Sequence, residues 1–336
     1  MTDKPVTIIV TGRNSETTIR PCLESLAAQE YPIDRILVFD NRSTDSSRDI
    51  IREVAAKSPV PIELVDGGER GNISTSYNRG VDMSEAEIVV LCHSDGMIPT
   101  RDELRKLVTP LLENPDAVTV YPKMLMPAEV WERFPFWEKM QFVKAVGATG
   151  NARCAIFDAV RREAYLKVGG FDAARFTTTC GFGGEDSDMS RRLRKVGRLL
   201  DTDAAAVHLH ASPPTYPFGA YLGTRAMLGR TYGKVLQHQR GLIELHNLLL
   251  LVRPVLALLP LLSIPAFLLS RPLGWAVLLA SLGLQLLFAF LNGRAMFRSP
   301  SVRKDPRVLL VLPVQWLMIY YESYWFFHGL LTPPRK

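Results

Sequence analysis

The first half of the chain alternates between short apolar runs and segments with helical spacing. Residues 6–11 form an apolar, β-branched run without alternation, which is typical of a buried parallel strand. Residues 16–29 place Ile19 and Leu23 on one helical face. Further strands are predicted at 35–40, 62–65 and 88–92, with helices between them ending near Lys57 and Ser84. This order predicts an α/β domain whose parallel sheet carries helices on both faces.

From residue 247 onward the pattern changes to long apolar segments. Three of them, at about 248–270, 272–291 and 308–331, are long enough to cross a bilayer as helices. The second contains no charged residue, whereas the third contains Glu322 and many aromatic side chains. A helix lying in the membrane interface is therefore the alternative for the third segment.

Charge in the loops predicts the orientation of these segments. The loop after the second segment is basic, with Arg294, Arg298, Arg303, Lys304 and Arg307 against the single acid Asp305. Short basic loops stay in the cytoplasm, so we expect a multi-pass protein of the cell membrane whose first domain is cytoplasmic. The predicted division is a catalytic domain at 1–215, interfacial amphipathic helices at 216–246 and a transmembrane region at 247–336.

Composition narrows the class of partner. The chain has 336 residues and a net charge of +6, which favours contact with anionic lipid surfaces. It has no dense basic stripe, so we do not expect nucleic acid as a partner. The cysteines Cys22, Cys92, Cys154 and Cys180 are isolated in the sequence and are interpreted as reduced thiols of a cytosolic domain. Residues 1–4 lead directly into a strand, which does not predict a signal peptide.

Polar residues follow the predicted strands at their carboxyl ends, where parallel sheets bind ligands. They occur at residues 12–14, 40–43 and 93–96. Neither GxGxxG after the first strand nor GxxxxGK[ST] is present, which argues against a dinucleotide dehydrogenase and a P-loop NTPase. These features favour a nucleotide held by loops and carboxylates, with a cation to neutralise phosphate charge.

An acidic cluster marks a later helix start. Glycines at 181–184 precede Glu185, Asp186 and Asp188. Acids are favoured in a first helical turn because the helix dipole presents positive potential there. An ordinary cap explains any one of them. The glycines followed by several acids also suit carboxylates that face a substrate, and spacing alone leaves both interpretations open.

An ordered series of motifs resembles the family 2 glycosyltransferases of the GT-A fold. The motifs are VTIIVTGRN at 6–14, CLESLAAQ at 22–29, ILVFDNRSTD at 36–45, SYNRG at 76–80, VVLCHSD at 89–95, VGGFD at 168–172, GGEDSD at 183–188 and VHLH at 207–210. The resemblance covers about residues 5–212. It implies a Rossmann-like GT-A domain, here followed by an α-helical membrane domain, and inverting transfer from a nucleotide-diphosphate sugar, with UDP as the expected nucleotide.

The same resemblance implies roles in donor binding. Asp40 matches the acid that contacts the nucleotide base, and Thr11 and Asn14 would line the base and the ribose. The other positions expected near the diphosphate or the sugar are Asn78, Gly80, Ser94, Asp95, Gly150 and Asn151. For Asn78 and Gly80, a surface helix end is the alternative.

A divalent cation is also implied. Asp95 matches the last acid of the usual Asp-x-Asp motif, while His93 stands where the first acid is expected. Oxygen ligands suit Mg²⁺ or Mn²⁺, and an imidazole shifts the preference toward Mn²⁺. His208 is the expected late histidine ligand, and His210 is interpreted as an ordinary strand histidine with a satisfied hydrogen bond. The departure at His93 leaves a metal-independent site as the alternative.

For the chemistry, the resemblance implies that Asp186 removes the proton of the acceptor hydroxyl and that Glu185 orients the acceptor. Asp188 is expected to be a helix-start acid. Arg191, Arg192 and Arg194 are expected to form a solvated helix face, with contact to phosphate as the alternative.

The expected acceptor is a membrane lipid, a lipid-linked glycan or another membrane-proximal hydroxyl at the cytoplasmic face. A polyprenyl-phosphate sugar synthase, which needs no base, and a non-catalytic membrane scaffold related to glycosyltransferases are the alternatives. Glu322 is a site candidate because an acid inside an apolar segment is costly, and it is expected either to pack with the hairpin of the first two segments or to approach an acceptor. Arg253 is expected to extend toward the interface. The oligomeric state stays open.

Overall fold

The computed structural model describes residues 3–68, 72–148, 150–151, 154–173, 184–210, 215–238 and 251–332. The chain divides into two compact units, the first formed by residues 1–130 and 147–212 and the second by residues 131–146 and 213–336. The predicted boundary at 215 lies beside this division. Residues 131–146 join the second unit, although no sequence feature indicated this.

The first unit is an α/β structure. Its strands are β1 (Val6–Gly12), β2 (Ile33–Asp40), β3 (Ile62–Asp66), β4 (Ile88–His93), β5 (Gly96–Met97), β6 (Ala117–Leu125), β7 (Phe157–Arg161) and β8 (Arg198–His208). Its helices are α1 (Ile19–Ala27), α2 (Ser47–Lys57), α3 (Ile73–Met83), α4 (Glu103–Glu113), most of α5 (Ala128–Trp131), α7 (Arg162–Lys167) and α8 (Glu185–Leu193). The predicted strands at 6–11, 35–40, 62–65 and 88–92 and the three helices between them are confirmed.

The strands form one mixed sheet in the order β3-β2-β1-β4-β7-β6-β8-β5. Strands β1 to β4 are parallel, as predicted. The prediction of a parallel sheet does not hold beyond β4. Strand β7 runs antiparallel to both β4 and β6, and β5 runs antiparallel to β8. The carboxyl ends of the four parallel strands therefore lie at one edge of the sheet. The short strand β5 adds an antiparallel pairing with β8.

Strand β1 is buried because its side chains enter two cores in alternation. Ile8 belongs to one cluster with Leu23 of α1 and Leu104 of α4. Ile9 belongs to the other cluster with Val81 of α3. Helices thus cover both faces of the sheet, as the uninterrupted apolar run predicted.

Local sequence explains where the two site-bearing helices begin. Helix α3 is capped by Asn72, whose Oδ1 accepts a hydrogen bond from the backbone N–H of Thr75 at 3.0 Å. Helix α8 follows Gly184, whose φ of 110° lies in the left-handed region that glycine occupies without steric cost. The glycine therefore directs the chain into an acidic first turn.

The second unit is helical over its described residues. Its elements are α6 (Phe136–Gln141), α9 (Phe218–His238), α10 (Val252–Leu258), a 3₁₀ helix (Leu259–Leu262), α11 (Ser263–Leu269), α12 (Arg271–Arg298), α13 (Pro300–Arg303), a second 3₁₀ helix (Pro306–Leu310) and α14 (Val311–Leu331).

Two helical segments among the described residues, Val252–Leu269 and Arg271–Arg298, are long and apolar enough to cross a membrane. Length and composition of this kind suggest membrane association only weakly. They coincide with the first two predicted segments, although residues 248–250 lie outside the described part of the chain. The third predicted segment is the helix α14, which is not one of the two. The interfacial position of α9 stays a prediction, and residues 239–246 lie outside the described residues.

Helices α9 and α14 approach each other at glycines. A Cβ atom added to Gly233 would lie 2.1 Å from the carbonyl oxygen of Phe326, and one added to Gly329 would lie 2.2 Å from that of Arg230. Small residues allow this backbone contact, which is a common way to pack apolar helices.

A buried glutamine joins three helices of the second unit. Gln285 of α12 donates to the carbonyl oxygen of Leu256 at 2.7 Å. Its Oε1 accepts from Trp316 Nε1 at 2.9 Å and from the Tyr320 hydroxyl at 2.8 Å. The polar groups thereby satisfy one another in apolar surroundings, where an unmade hydrogen bond is costly.

Candidate active site

The loops that follow β1 and β2 are tied together by Asn14. Its backbone N–H donates to Ser43 Oγ at 2.8 Å, and its Oδ1 accepts from the backbone N–H of Thr44 at 2.9 Å. Asn14 has a φ of 51°, a left-handed conformation that asparagine tolerates better than most residues. Its observed role is to fix the shape of these loops, and its contact with a donor stays a prediction.

Thr11 and Ser94 lie in a buried hydrogen-bond network under the same loops. Thr11 Oγ1 accepts from Asn41 Nδ2 at 2.9 Å, and Asn41 Oδ1 accepts from the Ser76 hydroxyl at 2.9 Å. The Ser94 hydroxyl lies 2.6 Å from that of Ser15, and the Ser94 N–H donates to the Thr11 carbonyl at 3.0 Å. These buried hydrogen bonds therefore hold the loops of the site in place. Asn41, which was not predicted as a site residue, is the centre of the network because its side chain bonds both Thr11 and Ser76.

Asp40 lies at the end of β2 and is buried. One of its oxygens, Oδ2, accepts from the backbone N–H of Ser43 at 3.2 Å and from Arg48 Nη1 at 3.0 Å. Charged hydrogen bonds of this kind hold a carboxylate in one orientation. The predicted base-binding acid is thus fixed at the carboxyl edge of the sheet, where such a role requires it.

Three side chains that can bind a metal meet beside β5. Gly96 of β5 pairs with His208 at the end of β8, and this pairing brings His208 Nε2 within 3.0 Å of Asp95 Oδ2. The ring of His210 lies against that of His208, with centroids 3.6 Å apart. One ligand atom from each of Asp95, His208 and His210 lies within 4.8 Å of the others.

The electrostatics of this group suit a divalent cation. Burial opposes ionisation of Asp95, but the hydrogen bond from His208 and the nearby imidazoles hold the pKa of Asp95 well below its usual range. Burial, with a smaller contribution from the neighbouring His208 ring, lowers the pKa of His210 to about 3, so the His210 imidazole is neutral. Metal ligands must be deprotonated in this way. A carboxylate with neutral imidazole fits Mn²⁺ better than Mg²⁺.

The membership of this group differs from the predicted ligand set at two histidines. His93 is not part of it, because the turn at 94–95 separates Asp95 from the strand that carries His93. The His93 ring instead stacks on Tyr77, with centroids 6.2 Å apart, and burial lowers its pKa. His210, expected to be an ordinary strand histidine, takes the third place. His210 lies beyond the end of β8 with a φ of 52°, so strand alternation in the sequence does not predict its position.

Asn78 and Gly80, two of the predicted donor contacts, have structural roles. Asn78 Nδ2 donates to the Phe171 carbonyl at 2.9 Å, and its Oδ1 accepts from the Phe171 N–H at 2.8 Å and the Tyr165 hydroxyl at 2.7 Å. A Cβ atom on the buried Gly80 would lie 2.6 Å from Ile9 Cγ2. Asn78 therefore anchors a turn, and Gly80 lets α3 approach β1.

Gly150 and Asn151 lie in the connection between β6 and β7. The Gly150 carbonyl accepts from the Met124 N–H at 3.2 Å. Asn151 Nδ2 donates to the carbonyl oxygens of Tyr121 at 2.9 Å and Thr202 at 2.8 Å. The side chain of Asn151 is thus engaged with the sheet, and a role of this segment over a donor sugar stays a prediction. Residues 149 and 152–153 lie outside the described residues.

Glu185 and Asp186 occupy the first turn of α8, as predicted. Glu185 Oε2 is buried and accepts no hydrogen bond from the described residues. Burial raises the pKa of Asp186, and the negative charges of Glu185 and Asp158 raise it further. A carboxylate perturbed in this direction is a stronger base once it is ionised, which is the property a general base needs.

Asp158 was not identified from the sequence. It lies on β7, where its Oδ2 accepts from the backbone N–H of Ala155 at 3.0 Å, and it lines a cavity together with Asp186 and Tyr121. The buried thiol of Cys154 is influenced by the acids of both regions. Its pKa is raised by burial first and then by Asp158, Asp186 and Asp95. The available signal for Asp158 was an acid inside an otherwise apolar strand, since buried acids are rare.

Helix α8 is held in place through Asp188. This helix-start acid, predicted as such, accepts from Arg191 Nη2 at 2.9 Å and from Arg192 Nε at 2.7 Å. Arg192 Nη1 also donates to the carbonyl oxygens of Val168 and Gly170, each at 2.6 Å. The prediction of a solvated face is therefore wrong for Arg192, which fixes α8 against the turn that Asn78 anchors. Residues 181–183 lie outside the described residues.

Comparison with known proteins adds family relationships to this geometry. Residues 7–165 match the glycosyl transferase family 2. The glycosyltransferase AglE of Haloferax volcanii is 23% identical over 234 residues, which are 67% of this chain and 72% of that protein. A dolichyl N-acetyl-alpha-D-glucosaminyl phosphate 3-beta-D-2,3-diacetamido-2,3-dideoxy-beta-D-glucuronosyltransferase of Methanococcus voltae is 28% identical over 88 residues, which are 26% of this chain and 27% of that protein.

A solved structure supports the fold over almost the whole chain. The mannosyltransferase PcManGT from Pyrobaculum calidifontis, in complex with GDP-Man and Mn²⁺, aligns with a TM-score of 0.58 and 19% identity. The alignment covers 96% of this chain and 88% of that one. Residues 7–165 therefore match a glycosyltransferase family 2 domain, and the structure has the GT-A fold.

Proposed function

We propose that the first unit transfers a sugar from a nucleotide-diphosphate sugar to a hydroxyl group of a lipid-linked or membrane-proximal acceptor, with inversion at the anomeric carbon. The observation that carries the proposal is the group of Asp95, His208 and His210 in the same unit as the perturbed carboxylate Asp186. The metal-binding group would supply a cation site for the leaving diphosphate, and Asp186 would supply a base for the acceptor.

The donor half of the proposal rests on two acids. Asp40, held by Ser43 and Arg48, would accept from the nucleotide base. Asp95 and the two histidines would hold Mn²⁺ or Mg²⁺, which when bound stabilises the charge on the leaving diphosphate. The complex of PcManGT with GDP-Man and Mn²⁺ supports a metal and a nucleotide sugar as ligands. UDP is our expected nucleotide, and GDP and dTDP are the others to test.

The acceptor half rests on Asp186. Its carboxylate would take the proton of the acceptor hydroxyl while that oxygen attacks the anomeric carbon from the face opposite the diphosphate. The bond to the diphosphate breaks as the new glycosidic bond forms, which inverts the configuration. Glu185 has a buried oxygen that accepts no hydrogen bond from the described residues, and it would receive one from the acceptor. A polyprenyl-phosphate acceptor would need no such base, because its phosphate is already ionised.

A membrane-bound acceptor is supported by the second unit and by a relative. Two apolar helical segments suggest that the protein is anchored in the cell membrane, and the basic loop after them suggests that the first unit faces the cytoplasm. The name of the Methanococcus voltae relative describes a dolichyl-phosphate-linked sugar as the acceptor. This relative is matched over only 27% of its length, so the acceptor class is part of the proposal.

A thermal-shift screen of the full chain in detergent tests the donor site. UDP-, GDP- and dTDP-sugars are added with Mn²⁺, Mg²⁺ or a chelator. A ligand at 100 times its dissociation constant stabilises the fold by about 2.7 kcal/mol. We expect one nucleotide to raise the Tm in the presence of metal, and Asp95→Asn to abolish that shift. The matched control is Asp203→Asn, an exposed carboxylate of the same unit.

The outcomes separate the alternatives. A shift that is unchanged by chelator would indicate a metal-independent site. The absence of a shift with every donor would overturn the proposal and favour the non-catalytic scaffold.

A further inference from the structure

The second unit contains a cluster of buried charge that the proposed chemistry does not use. Glu322 of α14 is 4% exposed at its side chain and accepts from two arginines. Arg225 of α9 donates to Glu322 Oε1 from Nε at 2.8 Å and from Nη2 at 2.6 Å. Arg253 of α10 donates to Oε2 from Nη1 at 2.9 Å. The prediction that Arg253 extends toward the interface is therefore wrong, because it pairs inward with Glu322.

A third cation lies beside this pair of arginines. The ammonium of Lys144 and the guanidinium of Arg253 each lie 5.7 Å from the centroid of the Phe288 ring. Desolvation and the positive charges of Arg253 and Arg225 lower the pKa of Lys144 to about 8. Among the described residues, no carboxylate forms an ion pair with Lys144. Two cations on one aromatic ring repel each other unless an anion lies between them.

The charges of this cluster do not balance. Arg225, Arg253 and Lys144 supply three positive charges, and Glu322 supplies one negative charge. Arg253 also has a buried Nε that donates no hydrogen bond to the described residues. The side chains of Arg225 and Arg253 are only 14% and 17% exposed and carry one more charge than Glu322, whereas Lys144 is exposed beside them. An unbalanced buried charge is costly, and several kcal/mol per ion is the usual scale. An anion that accepts several hydrogen bonds from the arginines and also reaches the exposed Lys144 would balance these charges, which describes a phosphate group.

The surroundings indicate that this phosphate belongs to a lipid. Phe288 lies on α12, one of the two apolar segments, and its neighbours Leu284, Leu287 and Leu291 are 47%, 53% and 49% exposed. Exposed leucines beside the ring offer a surface for an acyl or isoprenoid chain. A free phosphate ion would gain nothing from that surface.

We propose that Arg225, Arg253 and Lys144 bind the phosphate or diphosphate of the acceptor lipid, with Glu322 positioning the two arginines. This inference rests on the proposed transfer to a membrane-bound acceptor and adds its chemical class, a phosphorylated polyprenol that carries the accepting group. The Glu322 carboxylate repels such an anion. The three cations still leave a net attraction, because Glu322 cancels only one of them.

Binding of decaprenyl phosphate to the full chain in phosphatidylcholine nanodiscs tests the site. Decaprenol, phosphatidylglycerol and inorganic phosphate serve as comparison ligands. We expect decaprenyl phosphate to bind and raise the Tm, and each comparison ligand to do so at least tenfold more weakly. Lys144→Gln removes one cation without breaking the pairs of Glu322 and is expected to weaken binding about tenfold or more. Arg298→Gln removes an exposed cation of the same unit and is the matched control.

Each result has a definite meaning. Decaprenol binding as tightly as decaprenyl phosphate, or Lys144→Gln and Arg298→Gln having equal effects, would overturn the site. Equal binding of phosphatidylglycerol would overturn the acceptor assignment, since the site would then hold a bulk lipid. Equal binding of inorganic phosphate would overturn the role of the lipid chain.

A double variant distinguishes weaker binding from loss of folding. Arg253→Gln alone leaves Glu322 with one partner and can destabilise the unit. The double variant Arg253→Gln/Glu322→Gln removes one charge of each sign, and we expect it to fold and still bind more weakly because Arg253 supplies hydrogen bonds to the phosphate. Unchanged binding in this folded variant would contradict the proposal. The thermal shift caused by a nucleotide sugar should be unchanged in Lys144→Gln. If the unmutated chain shows no such shift, that result contradicts the proposed transferase function and not the phosphate site.

Discussion

The substitution Asp186→Asn tests the assignment of the catalytic base. Asparagine has nearly the same shape as aspartate but cannot take a proton. Removing a positioned base slows a reaction by about 10²–10⁴-fold, which raises the barrier by about 3–5 kcal/mol. Asp186 lies at the start of α8 and is not part of the Asp95 group, so donor binding in the presence of Mn²⁺ should be nearly unchanged. We expect a large loss in kcat with an intact nucleotide-sugar thermal shift.

The same substitution should stabilise the fold at neutral pH. Burial, with the charges of Glu185 and Asp158, raises the pKa of Asp186. A carboxyl whose pKa is raised by folding stabilises the fold below its unfolded pKa of about 3.9 and loses that stability as pH rises through its folded pKa. Each unit of the rise corresponds to about 1.4 kcal/mol. The stability advantage of Asp186→Asn should therefore grow with pH and level off above the folded pKa.

Two measurements must then agree. The dependence of kcat/KM on pH reports the pKa of the base in the free enzyme, with activity lost below it. Urea unfolding of the unmutated chain and of Asp186→Asn at several pH values reports the same pKa through the difference in stability. Because Glu185 also has its pKa raised by burial, both experiments measure apparent values of the coupled acids.

Asp203→Asn is the control, because Asp203 is exposed and pairs with Lys123. We expect little change in either assay, since surface ion pairs contribute at most about 1 kcal/mol. An Asp186→Asn enzyme that turns over at the unmutated rate would refute the base assignment. A stability difference that shrinks as pH rises would refute the electrostatic account of the acidic cluster.

Three further substitutions test the structural roles. Gly80→Ala places a Cβ atom 2.6 Å from Ile9 and should cost about 1–3 kcal/mol in urea unfolding. Asn78→Ala removes two hydrogen bonds to Phe171 and one to Tyr165, and should lower stability by about 1–3 kcal/mol in the same assay while sparing metal binding. His210→Ala should weaken Mn²⁺ binding at least about tenfold by electron paramagnetic resonance, because it removes one of three ligands.

The controls for these variants use residues in open surroundings. Gly219→Ala meets no atom within 4 Å and should be neutral or slightly stabilising, because alanine favours a helix over glycine. His328→Ala removes a histidine of the second unit and should leave Mn²⁺ affinity unchanged. Equal effects of Gly80→Ala and Gly219→Ala would contradict the close contact with Ile9, and Mn²⁺ affinity unaffected by His210→Ala would remove His210 from the ligand set.

The sequence was sufficient for the parts of the fold that depend on local pattern. Strands β1 to β4 and the helices between them follow from apolar runs and helical spacing. The antiparallel insertion of β7 was not predictable, because it depends on the pairing of Ile88 with Arg161 far along the chain. The two-residue strand β5 is also below the length at which alternation can be recognised.

The candidate site was predictable to the extent that motif and geometry coincide. Asp40, Asp95 and Asp186 lie at the positions that the motifs implied. Asn78 and Gly80 lie in a matching motif as well, yet their contacts are with the protein itself, because a motif preserves packing as much as chemistry. The structure groups His208 and His210 with Asp95, because the pairing of Gly96 with His208 brings the end of β8 to Asp95. The metal roles of this group and of His93 stay predictions.

The two units share one electrostatic property that connects the predictions. In the first unit, Asp186 and Glu185 have carboxyl pKa values raised by burial, so ionising them costs free energy. In the second unit, Arg225 and Arg253 outnumber the one carboxylate they share. Neither the buried acids nor the excess cations stabilise the fold, because apolar residues of similar size would pack without the desolvation penalty. Such charges are expected where chemistry needs a perturbed base or where a ligand supplies the opposite charge. Substitution of the acids by neutral residues should therefore stabilise the first unit without any ligand. The second unit should instead be stabilised by an added phosphate lipid, and this difference distinguishes a catalytic site from a binding site.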